Sequence, residues 1–496
     1  MSSKVSRRAF LQAGALALTA GVISACGGTS QPVPTEAPKV VEKVVEKIVT
    51  ATPEPTKPPT ATPSALQRGG TVRAALLAAP ARADTFKKIS DAFMAKYPNI
   101  KAEWIPVQAA EWEEYYGKLV TLIAAGESVD AAEISTEGLQ VIASKGVLRP
   151  LDDYVKAEAK EMAELFSDIA AQFTEIAMYK GNLYYLPFLW GAAHIIYNVN
   201  LFKQADVEPP KDDWTIQDMV AAARKIRALG SDVYGLGFPN RHWGGLLLWM
   251  YINNGDLYEY NKFPGGGWMW STFYADDPNA KGRDGGIDWG NPTANREENV
   301  QALQFLQDLI WKEKVSPLPT DIGQLVNFCA NNKLGMFVGH RAHCGALFRA
   351  GMKKGDFDVA YVPKWQSQSH QFGCSGLGIM KVSKVPELAW QLIKFELSKE
   401  QQYNYVDQAV HTATRRSVAN DPKQHEVTGP EHWYRFYGAL DNFPTSRSIA
   451  APLEAKDMAN IFVKYVGLAL ANEMPAKEAM DKVQNDLVEL KKRARP

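Results

Sequence analysis

From Gly69-Gly70 onward, the chain alternates short apolar segments with longer amphipathic ones, and this alternation sets the fold class. Apolar runs that suit buried strands are TVRAALLA, KAEWIPVQ and DAAEI. Between them lie segments with apolar residues at helical spacing, such as the one that carries Phe86, Ile89 and Phe93. Strands that alternate with helices of this length predict an α/β fold, in which helices cover both faces of a parallel sheet.

The chain is long enough to hold more than one folding unit. It has 496 residues, 46% of them hydrophobic, so it can bury a large core.

Two further segments carry signals for the start of a helix. Thr215, followed three residues later by Asp218, has the capping-box arrangement that begins a helix. The run PELAWQLIKFELSKEQQ predicts another helix, with Pro386 in its first turn.

The charges of the chain are balanced. Lysine plus arginine and aspartate plus glutamate each number 55, so no global field points to nucleic acid or to an anionic surface. A small neutral partner fits this balance better. Beyond the N-terminal leader, no apolar stretch approaches the ~20 residues that are needed to span a bilayer.

The N-terminal segment has the layout of an export signal. Arg7 and Arg8 precede a short apolar stretch, and the run SRRAFL resembles the twin-arginine signal of proteins that cross the membrane already folded. The run ISAC, which ends at Cys26, resembles the lipobox of bacterial lipoproteins. These features predict an export signal over 1–25, with Cys26 as an acylated anchor on the outer face of the cytoplasmic membrane.

Residues 26–68 form a segment of a different composition, dominated by Pro, Thr, Glu, Lys and Val. Such a segment cannot bury enough apolar surface to offset its ordering entropy, so we interpret it as a tether. Within it, KVVEKVVEKIV repeats with a helical stripe of valines, and either a short partner-binding helix or a stiff spacer accounts for that pattern.

Several stretches of the body occur in an order that is typical of one family. They are GGTVRAALLA, LVTLIAAGESVDAAEI, KGVLRPLDDYV, YKGNLYYLPFLWGAAHIIYNVNLFKQADVEPPKDDWTIQDM, VYGLGF, ALQFLQDLIWKEKVSP, NNKLGMFVG, FDVAYVP, GCSGLGIMKVSKVPELAWQLIKFELSKEQQ and TATRRSV. Through them the body resembles the family 1 extracellular solute-binding proteins of ABC importers, of the maltose-binding-protein type. The aromatic and glycine-rich insertion over 255–290 departs from the family pattern.

The resemblance implies a two-lobed, periplasmic-binding-protein-like α/β fold of type II, with a hinged cleft between discontinuous lobes. Lobe 1 is expected over 69–186 and 362–411, and lobe 2 over 187–361 and 412–496. The implied function is extracytoplasmic capture of a small solute, with a carbohydrate as the first expectation, and its delivery to ABC permease subunits with a cytoplasmic ATPase. The resemblance further implies a monomer without enzymatic activity, cofactor, metal or affinity for nucleic acid.

A cleft for a sugar needs flat aromatic faces and side chains that hydrogen-bond to hydroxyl groups. Loops at strand ends would line such a cleft. On this basis the expected ligand contacts are Trp190, His242, Trp243, Trp268, Trp270, His340, Arg341, Glu137, Phe372, Ser375 and Arg415. Core packing is the alternative role for each aromatic residue, and ion pairing or helix capping is the alternative for each polar one.

Other ligands and one other activity stay open. Glycerol-phosphate derivatives, peptides and anions are alternative solutes, and a polar or acidic ligand group is favoured where His340 and Arg341 replace an aromatic contact that is common in the family. A secreted glycoside hydrolase is the alternative activity, and it requires two carboxyl groups roughly 5 to 10 Å apart. No nucleophile elbow, zinc-helix motif or phosphate loop is present in the sequence.

The histidines and cysteines of the body raise two further possibilities. HRAHC and HQFGC contain residue types that bind zinc or copper, but their spacing matches no compact metal motif, and no metal is expected. Cys329 and Cys344 bracket one strand, so either a disulfide between them or buried free thiols fits the sequence.

Overall fold

The computed structural model describes residue 66 and residues 69–78, 80–109, 111–407, 412–426 and 429–494. The predicted export signal over 1–25, the predicted anchor Cys26 and nearly all of the tether over 26–68 lie outside the described residues.

The strands are β1 Gly70–Ala78, β2 Ile100–Gln108, β3 Ala131–Ser135, β4 Met178–Tyr179, β5 Asn182–Leu183, β6 Leu186–Ala192, β7 His194–Asn198, β8 Tyr234–Gly237, β9 Tyr258–Lys262, β10 Ile287–Pro292, β11 Leu334–Gly339, β12 Phe357–Ala360, β13 Gln371–Ile379, β14 Thr412–Ala413 and β15 Arg447–Ser448.

The α-helices are α1 Pro80–Lys96, α2 Trp112–Ala124, α3 Leu139–Ser144, α4 Asp152–Ala157, α5 Ala159–Ser167, α6 Ala171–Ile176, α7 Val199–Gln204, α8 Ile216–Arg227, α9 Leu246–Ile252, α10 Gly267–Phe273, α11 Glu297–Trp311, α12 Ile322–Ala330, α13 Arg341–Arg349, α14 Pro386–Glu396, α15 Lys399–Asp407, α16 Arg416–Ala419, α17 Arg435–Asp441, α18 Ala455–Leu470 and α19 Ala476–Ala494. The predicted capping box of α8 is confirmed, because Thr215 and Asp218 bond to each other's backbone N–H.

The larger sheet of the described chain contains the first predicted strands. Its order is β14-β6-β13-β3-β1-β2, with β15 paired to β13. The prediction of parallel strands is confirmed for β1 with β2 and β3. It is wrong for the whole sheet, because β13 returns from a distant part of the chain and pairs antiparallel with β3 and β6. Every residue of β3 is buried, as expected for a central strand.

A smaller sheet has the order β12-β7-β11-β8. In it β11 runs parallel to β8 and antiparallel to β7. We call the larger sheet and its helices lobe 1, and the smaller sheet and its helices lobe 2.

Strand pairing differs from the predicted lobe boundaries in two places. Strand β6 pairs in lobe 1 and β7 in lobe 2, so the chain first passes between the sheets at Ala193, whereas the predicted boundary lies at 186/187. Strands β14 and β15, within the segment predicted for lobe 2, also pair with the sheet of lobe 1. The other limits of the lobes stay a prediction.

The insertion over 255–290 folds into the antiparallel hairpin β9-β10 and the short helix α10. It packs on the helices α5 and α6 of lobe 1. The rings of Phe273 and Phe166 lie 4.6 Å apart between their centroids. The fully buried Glu175 of α6 forms ion pairs with two residues of the insertion, Lys262 at 2.6 Å and Arg283 at 2.5 Å. Although the insertion follows the first passage into lobe 2, it therefore packs on the other lobe.

Three cysteines of the body are buried as free thiols. Cys329, Cys344 and Cys374 are unpaired, so the alternative of a Cys329–Cys344 disulfide is wrong in this structure. Burial raises the pKa of Cys344 and Cys374 to about 12, and such thiols act as small apolar side chains.

In the part of the chain that the structure describes, no cluster of His, Cys, Asp and Glu is placed to bind a metal ion. Within the same residues, no helix combines the length and the apolar character that crossing a bilayer requires.

Candidate functional site

A cavity of about 290 Å³ lies where strands of both sheets end. Its lining comes from β1, β6, β13, the loop after β3 and the starts of α1 and α2 in lobe 1, and from the loops after β8 and β11 in lobe 2. The lining residues are Leu77, Arg82, Glu111, Trp112, Glu113, Glu137, Leu189, Trp190, Gly191, Arg241, His242, Trp243, His340, Gly373, Cys374 and Ser375. Ligands of open α/β sheets bind at the carboxyl ends of strands, so this cavity is the candidate binding site.

The loop that presents His242 and Trp243 is held by a buried side chain of lobe 1. The amide of Gln371 donates to the carbonyl oxygen of His242 at 3.0 Å and accepts from the N–H of Gly244 at 2.7 Å. Gly244 has a φ of 69°, in the left-handed region that favours glycine, and it turns the chain toward α9. Because Gln371 bonds to the backbone on both sides of Trp243, it fixes the path of the chain that presents Trp243 to the cavity.

Trp243 forms an aromatic wall together with His340. Their ring centroids lie 5.0 Å apart with planes at 83°, an edge-to-face contact. The guanidinium carbon of Arg241 lies 5.9 Å from the centroid of the same indole. Gly373 of lobe 1 lies beside this wall: a Cβ added there would lie 3.7 Å from Nε1 of Trp243. Trp243 therefore lies at the junction of the two lobes.

The two cavity histidines are neutral hydrogen-bonding groups. His340 caps α13, and its Nδ1 accepts from the N–H of Ala342 at 3.3 Å. Burial, with the neighbouring His343 and Arg241, holds the pKa of His340 well below its ordinary value. Burial and Arg241 lower the pKa of His242 to about 3. Neither ring therefore adds positive charge to the cavity near neutral pH.

Carboxyl groups outnumber guanidinium groups at the cavity. Glu111, Glu113 and Glu137 line it, together with Arg82 and Arg241. Arg82 is itself bound by the buried carboxylate of Glu133 at 2.7 Å, in a pair whose side chains are 7% and 0% exposed. An anionic ligand would thus meet a surplus of negative charge, whereas hydroxyl groups would find both donors and acceptors.

Glu137 titrates near neutral pH. Burial raises its pKa from 4.5 to about 7, and the nearby Glu113 acts in the same direction, while Ser135 and Arg241 oppose the shift. The side chain therefore changes charge in the physiological range and is the most pH-sensitive group of the cavity lining that we identify.

We expect Glu137 to make the folded protein less stable as the pH rises from about 4.5 to about 7. Its folded-state pKa lies above its unfolded one, so the folded state binds the proton more tightly, and this contribution is complete below pH 4.5 and lost by about pH 7. The free energy of unfolding should fall over this range more steeply in the wild type than in Glu137→Gln. The control is Glu127→Gln, an exposed glutamate outside the cavity lining. Parallel profiles for wild type and Glu137→Gln would contradict the assignment.

The structure brings six of the eleven expected contacts to the cavity. They are Glu137, Trp190, His242, Trp243, His340 and Ser375. Among them, Trp190 contributes little ring surface, because it is 1% exposed and its indole N–H donates to the carbonyl oxygen of Ala413 at 3.0 Å.

The other five expected contacts lie outside the cavity lining. Trp268 and Trp270 belong to the insertion, where Trp268 lies under Lys156, whose Nζ is 4.6 Å from the ring centroid. Phe372 is 1% exposed and packs near Phe173 in the core.

Two of these five are buried arginines. Arg341 is 2% exposed in the first turn of α13, next to the thiol of Cys344. Arg415 is 4% exposed and is held by Glu164 at 2.5 Å and Asp168 at 2.8 Å. Its cationic group therefore joins α5 to the segment before α16 and does not reach the ligand site.

Sequence reasoning missed part of the lobe 1 wall. Trp112 and the flanking Glu111 and Glu113 begin α2, and the indole of Trp112 stacks on Tyr116 with 6.1 Å between centroids. Arg82 lies in the first turns of α1, directly after β1. The available signal was position: both helices begin just after strands of the parallel part of the sheet, where chain segments converge on the cleft.

Two α/β lobes with a cavity at their strand ends define a two-lobed ligand-binding protein. The sequence profile of the bacterial extracellular solute-binding proteins matches residues 79–403. The chain belongs to this family.

One curated relative, a binding protein, is similar to this chain over part of its length. A binding protein of Brucella abortus (strain 2308) is 30% identical over 156 residues, which are 32% of this chain and 35% of the relative. The match therefore spans about a third of the length of that curated relative.

Three solved structures share the fold. An ABC substrate-binding protein from Listeria monocytogenes in complex with cycloalternan superposes with a TM-score of 0.68 at 20% identity, covering 86% of this chain and 99% of that one. Maltose-bound MalE3 of T. maritima has a TM-score of 0.67 and 21% sequence identity, and the match covers 85% of this chain and 99% of that one. UgpB from Mycobacterium tuberculosis in complex with glycerophosphocholine has a TM-score of 0.66 and 15% sequence identity, and the match covers 86% of this chain and 99% of that one. These likenesses establish the two-lobed, maltose-binding-protein-like fold.

Proposed function

We propose that the protein is the extracytoplasmic substrate-binding component of an ABC importer and that its solute is a small, uncharged carbohydrate. The observation that carries this proposal is the lining of the cavity. It combines the half-buried indoles of Trp112 and Trp243 with neutral histidines and with carboxyl groups that accept from hydroxyls. Aromatic faces pack on the C–H surfaces of a sugar ring, and the polar groups bond to its hydroxyls.

The structural neighbours support a carbohydrate first and a glycerol-phosphate derivative second. Two of them hold cycloalternan and maltose, and one holds glycerophosphocholine. The surplus of carboxyl over guanidinium groups at the cavity favours the uncharged ligand, because a phosphate would be repelled by Glu111, Glu113 and Glu137. The same charge argument disfavours small anions. The cavity volume of about 290 Å³ lies at the lower limit of ordinary ligand sites, which disfavours long peptides.

A thermal-shift panel on the purified full chain tests this proposal. The panel contains neutral mono- and disaccharides, polyols, glycerol 3-phosphate, glycerophosphocholine, a short peptide and inorganic phosphate. A ligand present at 100 times its dissociation constant stabilises a protein by about 2.7 kcal/mol. We expect a neutral sugar to raise the melting temperature most. A larger shift with a phosphate compound or the peptide, and none with any sugar, would overturn the carbohydrate assignment.

The hydrolase alternative rests on Glu113 and Glu137, because a raised pKa near a second carboxyl group is what a glycosidase acid requires. Membership in a binding-protein family favours capture without turnover. Chromatography of the bound sugar after prolonged incubation with the protein distinguishes the two: intact sugar is expected, and hydrolysis products would support the enzyme.

We further propose that the protein acts as a monomer that is exported, held to the outer face of the cytoplasmic membrane by acylated Cys26, and docked on ABC permease subunits served by a cytoplasmic ATPase. The lipobox-like ISAC run and the tether over 26–68 support the anchor. Cys26→Ser should move the protein from the membrane fraction to the medium in cell fractionation. A serine variant that stays in the membrane fraction would contradict the anchor, and Cys329→Ser is the matched control.

A further inference from the structure

Glu133 is buried directly behind the cavity and binds three residues that line it. It is 0% exposed on β3 and is not itself part of the lining. Its Oε1 accepts from Nη2 of Arg82 at 2.7 Å and from the hydroxyl of Ser375 at 2.7 Å. Its Oε2 accepts from the backbone N–H of Leu77 at 3.2 Å. One carboxylate thus fixes donors from α1, β13 and β1.

The ion pair determines the charge that Arg82 presents to a ligand. A guanidinium group is always protonated and matches phosphate oxygens in a bidentate manner, so an uncompensated arginine in a cavity is a strong anion site. Here the residue Arg82 is 5% exposed and its partner carboxylate is fully buried, so solvent screens the pair little. The pair as a whole is neutral, while the remaining N–H groups of Arg82 keep their ability to donate hydrogen bonds.

The other charged groups at the cavity act in the same direction. Arg241 lies close enough to Glu137 to lower the pKa of that carboxyl group, which Glu113 opposes. Each guanidinium of the lining therefore has a carboxylate partner or neighbour. Loss of the Glu133 carboxylate would change the net charge that a ligand meets at Arg82. The same loss at Glu111 would have a smaller effect, because Glu111 is exposed, whereas Glu133 is buried and bonded to Arg82.

We propose that Glu133 is a positioning residue that determines specificity: by neutralising Arg82 and fixing Ser375 and the end of β1, it makes the cavity select uncharged sugars over their phosphate esters. This inference rests on the proposed carbohydrate function. It predicts that selectivity against phosphate is a property of a residue that the ligand does not touch.

Matched neutral and phosphorylated sugars test the role of Glu133. The probes are glucose and glucose 6-phosphate, maltose and maltose 6-phosphate, and trehalose and trehalose 6-phosphate, titrated calorimetrically into the full chain. The wild type should prefer the neutral member of the pair that binds. Glu133→Gln, which keeps the shape of the side chain and removes its charge, should lower that preference by about tenfold or more, because Arg82 is then uncompensated. The control is Glu103→Gln, which removes a part-exposed partner of Arg73 outside the cavity lining.

A purely structural role for Glu133 would give a different pattern. It would lower the melting temperature or weaken both members of a pair equally, and an unchanged preference in Glu133→Gln overturns the inference while the proposed function stands. If no neutral sugar binds the wild type, the proposed function fails and the role of Glu133 fails with it.

A second variant keeps the inference testable where Glu133→Gln does not fold. Arg82→Gln removes the cation, and the buried carboxyl group that is left without it binds a proton, so the site again carries no uncompensated positive charge and the preference for the neutral sugar should stay at or above the wild-type value. A preference that falls below the wild-type value in Arg82→Gln overturns the inference. The double variant Arg82→Gln/Glu133→Gln removes both charges and should restore the wild-type preference, and a double variant that does not do so also overturns it.

Discussion

Replacing Trp243 with alanine is expected to weaken binding of the neutral sugar by about 30-fold while leaving the fold intact. The indole is half-buried at the cavity, in edge-to-face contact with His340 and next to Gly373 of the other lobe. Loss of an aromatic face that covers a sugar ring removes about 2 kcal/mol of apolar burial and ring contact, which corresponds to about 30-fold in affinity. Titration calorimetry gives the dissociation constants of the two proteins.

Trp311→Ala is the matched control for this experiment. Trp311 is 44% exposed at the end of α11 and does not line the cavity, so its removal should leave the affinity unchanged within about twofold. Equal losses in the two variants, or an unchanged affinity in Trp243→Ala, would show that the aromatic wall formed with His340 is not part of the ligand site.

Replacing Trp190 with alanine should instead lower the free energy of unfolding by about 3 to 5 kcal/mol, the range for large-to-small changes of aromatic residues in a core. Trp190 packs between Phe173 and Tyr437, whose ring centroids lie 4.9 and 5.3 Å away. Its indole N–H is satisfied by the carbonyl oxygen of Ala413, which would be left without this bond. Denaturant unfolding followed by circular dichroism measures the loss.

The comparison with Trp268→Ala separates a core role from a general effect of tryptophan removal. Trp268 is only partly buried on α10, so its loss should destabilise the protein less than that of Trp190. A Trp190→Ala protein that unfolds like the wild type but no longer binds sugar would instead support the role of ligand contact that its sequence position indicates.

The fold class could be predicted from the sequence because the patterns that indicate it are local and recur along the chain. Apolar runs of strand length, amphipathic segments and the capping box at Thr215 predict α/β units without knowledge of distant contacts. The antiparallel return of β13 was not accessible, because pairing between Ser375 and Ser135 joins residues 240 positions apart in sequence. Nothing in either segment alone specifies the direction of that pairing.

The residues of the binding site could be predicted from the sequence where they directly follow a strand. Glu137, Trp243 and His340 each come after a strand, and parallel strands bring such positions to one edge. Which face a side chain takes within a strand was harder to predict, since Trp190 lies in β6 at the cavity and yet directs its indole to Ala413 in the core. Periodicity gives two faces but does not say which of them is the cleft.

The misplaced arginines and the insertion show a second limit of sequence reasoning. Arg415 appears as a free cation near a lobe crossing, but its partners Glu164 and Asp168 lie about 250 positions away and meet it only in the folded chain. The aromatic residues of α10 suit a sugar site by composition, but contacts such as Phe166–Phe273 hold that helix on lobe 1, outside the cavity lining. Residue type indicates chemistry, and only tertiary packing decides whether solvent or ligand reaches it.

A crystal structure of the full chain with the neutral sugar that gives the largest thermal shift is the decisive measurement. We expect one sugar in the cavity between the lobes, with a ring face on Trp243 and hydroxyls within hydrogen-bond distance of Arg82 or His242, while Glu133 stays bonded to Arg82 behind the cavity. Sugar density at the insertion around Trp268, or an empty cavity in crystals saturated with a sugar that binds in solution, would show that this cavity is not the sugar site.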